Sequence, residues 1–320
     1  MQEKQVYELV DSLRAGKVSR RDFLKRAALL LGGATAANAM LLAATGAPIV
    51  KVAEAAGVLQ GTAPATMPAT MAATSQALAI KTELVTFKGS DDAASGYLAQ
   101  PIDKGTYPGV IVIQEWWGLD DHIKSVTERF AKLGYVALAP DLYRGQVAKE
   151  PSDAQRLIIT VQVPKALQDI QGAVDYLNGL DAVLPKKVGV IGFCFGGGLA
   201  MLMAYKGKGV GAVASFYGES VKPSDDDIKA VTVPVLGIYG ELDGGSPASL
   251  IDGWAAKFKA AGKINQMIIY KGAQHAFFND TRPSSYNEVA AKDAWQRVQD
   301  WFKQYLSDNA PEATMAATPQ

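Results

Sequence analysis

Cysteine is nearly absent from this 320-residue chain, and Cys194 stands alone. No intrachain disulfide can form, so stability has to come from a packed core. Histidine is scarce too, with His122 and His275 the only two. No group of His, Cys and carboxylates has metal-ligand spacing, so neither a metal nor an organic cofactor is implied. Excess charge is missing as well. Lys plus Arg number 32 and Asp plus Glu number 32, a formal net charge of +0. A nucleic-acid binder needs a basic surface to displace counterions, and that class is excluded. Hydrophobic residues make up 48% and charged residues 20% of the chain. That is an ordinary globular composition, with length for one large domain or two small ones.

The N-terminal region reads as an address. Residues 19–25 are Ser-Arg-Arg-Asp-Phe-Leu-Lys, the twin-arginine export pattern. An apolar, Ala-rich stretch runs from Ala27 to about Val50, with small-x-small sites at Ala37-Asn38-Ala39 and Ala53-Glu54-Ala55. Gly32 and Gly33 inside that run argue against an amphipathic surface helix. Residues 1–56 are therefore expected to direct export through the twin-arginine translocase to the periplasm or another extracytoplasmic space. About 20 apolar residues suffice to span a bilayer, so an uncleaved signal would tether the protein to the membrane. No cysteine lies near the cleavage region, which excludes a lipoprotein. Residues 57–77 are rich in Ala, Thr and Pro and read as a linker. The hexapeptide Ala-Thr-Met-Ala-Ala-Thr occurs at 69–74 and again at 313–318. It marks low-complexity segments on either side of one folded domain over 78–308, with 309–320 as a tail.

Within 78–308, apolar runs of strand length alternate with helix-like stretches. Strands are expected at 80–88, 96–100, 109–114, 135–140, 188–193, 211–217, 234–239 and 266–270. Helices are expected at 121–133, 152–159, 164–179, 196–206, 247–261 and 285–306. Val110-Ile111-Val112-Ile113 and Val188-Gly189-Val190-Ile191 lack polar alternation, as suits central strands covered on both faces. From 109 onward most strands are followed by a helix, the mark of parallel strands joined by right-handed crossovers. The first two strands have no helix between them and should be antiparallel. The expected fold is α/β: a mostly parallel sheet with antiparallel N-terminal strands and helices on both faces. Chemistry in such sheets lies at the carboxyl ends of the strands.

The bland reading of a lone cysteine is a small buried hydrophobe. Its neighbours point elsewhere. An apolar strand runs into Gly192-Phe193-Cys194-Phe195-Gly196, followed by a helix. This is G-x-C-x-G in the context where many hydrolases carry G-x-S-x-G. The glycines let neighbouring segments pass close to a strained turn, and the helix points its positive end at the thiol. His275, in Gly272-Ala273-Gln274-His275, follows the last expected strand. His122 lies just inside a helix, so His275 is the better base. Asp243, in Gly240-Glu241-Leu242-Asp243, follows the strand before that, with Glu241 as the competing acid. Nucleophile, acid, base, one per successive strand end, is the order of an α/β-hydrolase triad.

The chain resembles the dienelactone hydrolase (carboxymethylenebutenolidase) family over essentially all of 78–308. The match is carried by Gln114-Glu115-Trp116-Trp117-Gly118-Leu119, by Gly134-Tyr135 through Ala139-Pro140-Asp141-Leu142-Tyr143, by Gly192-Phe193-Cys194-Phe195-Gly196-Gly197, and by Asp243 and His275 in their loops. The resemblance implies an α/β-hydrolase fold and cleavage of a small-molecule ester or lactone through a thioester on Cys194. It implies that Glu115 pairs with the resting thiol and that the N–H groups of Trp116 and Phe195 form the oxyanion hole. It places Trp117, Tyr143 and Arg144 at the substrate. The pattern is also broken. Arg144 lies one position earlier than the family's first carboxylate-binding arginine, and Asn279 stands where the second is expected, with Arg282 displaced nearby. Losing that bidentate clamp points to a different, uncharged ester or lactone. Two other classes compete. A non-catalytic binding protein on this fold is disfavoured by the intact Cys194, Asp243 and His275, and a thiol redox protein by the lack of a second cysteine.

Overall fold

The computed structural model describes residues 77–307 except residue 92, together with Val18. The expected signal region, nearly all of the linker and the C-terminal tail lie outside the described residues. Eight strands form one sheet: β1 (Ile80–Phe87), β2 (Ala94–Pro101), β3 (Gly109–Ile113), β4 (Val136–Pro140), β5 (Val188–Phe193), β6 (Val210–Phe216), β7 (Val235–Gly240) and β8 (Asn265–Tyr270). Their spatial order is β1-β2-β4-β3-β5-β6-β7-β8. β2 runs antiparallel to both β1 and β4, and all other pairs are parallel. This is the α/β-hydrolase arrangement. The order reverses at β3, which lies between β4 and β5. A crevice opens at such a reversal beyond the strand ends, and ligands bind there.

The described helices are α1 (Asp121–Lys132), α2 (Pro151–Ile158), α3 (Val163–Gly179), α4 (Phe195–Lys206), α5 (Asp225–Ala230), α6 (Ala248–Ala260) and α7 (Glu288–Tyr305). Side-chain alternation along β3 separates two cores. Ile111 and Ile113 pack with Ile170, Val174 and Leu199 of α3 and α4. Val110 and Val112 pack with Ile123, Val126 and Phe130 of α1 and with Val298 and Phe302 of α7. All four β3 residues are fully buried, which is why an unbroken β-branched run suits that position. Among the described residues no helix is long and apolar enough to cross a membrane.

The expected elements are all present, with ends displaced by up to about three residues. The helix expected from 285 starts at Glu288, where the Asn287 side chain accepts from Ala290 N–H and caps it. One helix was not expected. α5 is a single acidic turn and a half, started by a capping box between Ser224 and Asp227. Its one buried residue, Ile228, gives no periodicity to read.

Candidate active site

Cys194 sits between β5 and α4 with φ 54° and ψ −116°. That left-handed backbone is costly for a residue with a Cβ, and the surroundings hold it. Cys194 N–H donates to Phe216 O of β6 at 3.0 Å. A Cβ on Gly192 would collide with the Gly196 carbonyl, and one on Gly196 with the Gln114 carbonyl. Only glycine lets β5, the turn and the end of β3 approach this closely. Phe195 begins α4, so its N–H is one of the helix's first, which have no intrahelical acceptor.

His275 and Asp243 come from the loops after β8 and β7. His275 Nδ1 lies 2.7 Å from Asp243 Oδ2. Asp243 Oδ1 accepts from Gly245 N–H at 3.0 Å, and Oδ2 lies 3.3 Å from Ser246 Oγ. Burial alone would raise the Asp243 pKa, but His275, Gly245 and Ser246 together hold it below the ordinary carboxylate value. Burial opposes protonation of His275. The charge of Cys194 as a thiolate, and then the hydrogen bond to Asp243, outweigh it and push the imidazole well above its ordinary value. Nδ1 is thus committed to Asp243, and the other ring nitrogen remains for Cys194. Glu241, the competing acid, is exposed and accepts from Gly272 N–H at 2.9 Å.

Glu115 is buried at the end of β3, but its bonds are not those the resemblance implies. Asn279 Nδ2 donates to Oε2 at 2.6 Å and Tyr217 Oη to Oε1 at 3.3 Å. Both oxygens are taken by protein donors instead of the thiol. Burial pushes the Glu115 pKa up, against the pull of His122 and the Asn279 bond. Asn279 is therefore the partner of Glu115, and its own Oδ1 accepts from Thr281 N–H and Oγ1. Tyr217 has φ 40° and is fully buried, its ring 4.9 Å from His275. Burial, then Glu115 and Cys194, drive its phenol far up, so it stays a neutral donor.

The residues expected at the substrate divide. Tyr143 Oη donates to Trp116 O at 3.1 Å and so fixes the backbone that carries the Trp116 N–H. Its phenol is raised by burial and then by Cys194. Trp116 is partly exposed, whereas Trp117 is only 7% exposed and stacks under Arg282, whose guanidinium carbon lies 3.5 Å from the ring centre. Trp117 is a platform for Arg282 more than a pocket wall. Arg144 is a correction. Its guanidinium pairs with buried Asp169 at 2.8 Å and also reaches Asp91, Ser90 and Asp141 O. The fork is spent on protein groups. The hollow lined by Tyr143, Arg144, Lys165 and Asp169 includes none of Cys194, Asp243 and His275. Side-chain chemistry, more than concavity, locates the site.

Sequence reading missed Glu219, Ser246 and Tyr217. Glu219 is buried and its Oε1 lies 3.8 Å from His275 Nδ1. Ser246 Oγ donates to Glu219 Oε2 at 3.0 Å. The one available signal was position: Tyr217 and Glu219 follow β6 at the same edge of the sheet. Ligand atoms of Glu219, Asp243 and His275 all lie within 4.8 Å of one another, a grouping among the described residues that could hold a metal ion. A metal on Nδ1 would displace the proton that Asp243 accepts. His122, the other histidine, is buried with Nδ1 3.3 Å from Asp280, its ring edge-on to Phe193 and Phe278.

The model of the Dienelactone hydrolase family matches residues 94–306. A Methylorubrum extorquens protein named "Putative carboxymethylenebutenolidase" is 38% identical over 229 residues, 67% of this chain and 78% of its own. A Synechocystis protein of the same name is 38% identical over 246 residues, 71% of this chain and 98% of its own. The crystal structure titled "Putative Dienelactone Hydrolase" from Klebsiella pneumoniae superposes with a TM-score of 0.64 at 31% identity, over 71% of this chain and 100% of that one. A dienelactone hydrolase-like promiscuous phosphotriesterase from metagenomic libraries gives 0.65 at 25% identity, over 72% and 100%. A family match across two thirds of the chain, on an eight-stranded sheet of this order, leaves one assignment: the chain belongs to the dienelactone hydrolase family and is a hydrolase of the α/β-hydrolase fold.

Proposed function

We propose that this hydrolase opens an ester or lactone through a thioester on Cys194, with His275 as acid and base and Asp243 as its orienting acid. The carrying observation is the 2.7 Å contact of His275 Nδ1 with Asp243, in a site where Cys194 is held at φ 54°. The Cys194 proton passes to the free nitrogen of His275 as Sγ attacks the carbonyl carbon. The N–H groups of Phe195 and Trp116 hold the oxyanion. The C–O bond breaks, and the leaving oxygen, alkoxide or enolate, takes the proton from His275, which is then neutral again and able to act as a base. Water, giving a proton to His275, then cleaves the thioester and releases Cys194. Glu115 is close enough to His275 to feel its charge, as a buried carboxyl that burial disfavours as an anion.

The substrate is an uncharged ester or lactone. Arg144 is paired with Asp169, and Asn279, a neutral amide, takes the place of a guanidinium. The test is a panel of p-nitrophenyl esters and lactones, charged and uncharged, with wild type, Cys194→Ser and Cys194→Ala. Cys194→Ala should lose on the order of 10³-fold or more in kcat. Full activity in that variant would sink the reading.

We also propose export by the twin-arginine translocase, supported by Arg20-Arg21 and the apolar run after them. Changing both arginines to lysine should retain the enzyme in the cytoplasmic fraction. Unchanged export would refute the route, and recovery of the wild type in membranes would show an uncleaved signal.

A further inference from the structure

One buried carboxylate has no role in the reaction above. Glu219 follows β6 in Tyr217-Gly218-Glu219, and only 3% of it is exposed. Its Oε2 accepts from Ser246 Oγ at 3.0 Å, and the same hydroxyl lies 3.3 Å from Asp243 Oδ2. Its Oε1 lies 3.8 Å from His275 Nδ1, the nitrogen that Asp243 contacts at 2.7 Å. Two carboxylates from different loops therefore converge on one edge of one imidazole.

Buried like charges this close repel unless a donor or a cation lies between them. Donors offset part of this: a backbone N–H serves Glu219, Gly245 N–H serves Asp243, and Ser246 Oγ lies between them. Ser246 has a single hydroxyl hydrogen, which serves one carboxylate at a time, and the shorter contact is to Glu219. The cation is His275. The groups facing it are Cys194 from the elbow, Asp243 from the β7 loop, Glu219 and the Tyr217 ring from the β6 loop, and Glu115 from the end of β3. Those facing Glu219 include His275, Asp243, Ser246, a backbone N–H and the Tyr239 phenol on β7. His275, when protonated, is a cation that faces both carboxylates at once.

We propose that Glu219 is a second positioning carboxylate for His275, sharing the imidazolium charge with Asp243 and holding the Asp243 loop through Ser246. The role rests on His275 being the acid–base group. Glu219 takes no proton from the ring. The Nδ1 proton stays in its hydrogen bond to Asp243, while Glu219 acts through space when the ring gains the Cys194 proton. Burial and the neighbouring Asp243 make Glu219 harder to ionise, whereas His275, and after it a backbone N–H and Ser246, ease it.

The chain has only two histidines, so the His275 titration is directly readable by NMR of the full chain labelled at histidine. His122→Asn assigns the other signal. The measurement is made in Cys194→Ser, which removes the thiolate and needs no turnover. Glu219→Gln should lower the His275 midpoint by about one pH unit or more, the scale of a unit charge at this separation. Glu219→Asp keeps the charge one methylene farther away, and its midpoint should fall between the two. If Glu219→Gln does not fold, Glu219→Asp alone decides. A wild-type midpoint in either folded variant overturns the proposal. So does an equal fall in both, which would mean that side-chain shape and not charge is felt. Failure of the nucleophile assignment would appear separately, as retained activity in Cys194→Ala.

Discussion

Asn279→Asp changes one amide into a carboxyl and leaves the volume almost untouched. In the wild type the amide Nδ2 donates to Glu115 Oε2 at 2.6 Å, with both residues buried. The Oδ1 side, which accepts from Thr281, survives the change. At the Glu115 side a donor becomes an acceptor, and two carboxyls face each other without water. They can share one proton and then bond, but ionising both is costly. The sign follows. Burial already raises the Glu115 pKa in the folded state, so the protonated form is the stabilised one. Stability from such a carboxyl is complete below the unfolded value of about 4.3 and is lost as pH rises through the folded value. The variant deepens that loss. Removing the charge-assisted hydrogen bond costs about 1.5–3 kcal/mol. At about 2–4 °C per kcal/mol for a domain of this size, Tm should fall by about 3–12 °C at pH 8. At pH 5 the gap from wild type should be much smaller. The assay is thermal unfolding followed by circular dichroism at both pH values. Adding Glu115→Gln restores a donor in the reverse sense and should return most of the lost Tm. An equal drop at both pH values, or none, would refute the reasoning.

Arg144→Ala removes the ion-pair partner of buried Asp169 but leaves its bond from Ser90 N–H, and because Arg144 is itself 37% exposed the cost should be about 1–3 kcal/mol in urea unfolding. Its KM for an uncharged ester should not change, whereas a large rise would return Arg144 to the substrate. Tyr143→Phe removes the 3.1 Å bond to Trp116 O. It should lower kcat, by less than the roughly 10²–10³-fold of a deleted oxyanion donor, with little effect on KM. Asp243 has a depressed pKa in the folded state, so its stabilising contribution is present above about 3.9 and lost as pH falls through the folded value. Asp243→Asn should therefore be less stable than wild type at pH 7, and the two should converge in acid.

What could be read from the sequence follows the range of the interactions involved. Val110-Ile111-Val112-Ile113 announces a central strand because burial on both faces is written in consecutive residues. The elbow at Cys194 is also local: two glycines, a strand before and a helix after. Asp243 and His275 were found by counting strand ends. The partner of Arg144 was not legible, since Asp169 lies a helix away and nothing in Asp-Leu-Tyr-Arg names it. Glu115 shows the same limit. Its bonds come from Asn279 and Tyr217, more than a hundred residues distant in the chain. Glu219 and Ser246 were missed because a carboxylate and a serine in polar loops look like solvated residues until the fold buries them. α5 escaped because six residues with one buried side chain carry no period.

The division between strand and loop at this edge of the sheet has an evolutionary consequence. Asn279 sits in a loop, while the glycines that shape the Cys194 turn are wedged against backbone carbonyls. Single substitutions in the loops can retune which molecules are accepted and leave the eight strands untouched. Changes at Gly192 or Gly196 have no such freedom. A lineage built on this scaffold can therefore explore new substrates by small steps while its reacting thiol stays where it is.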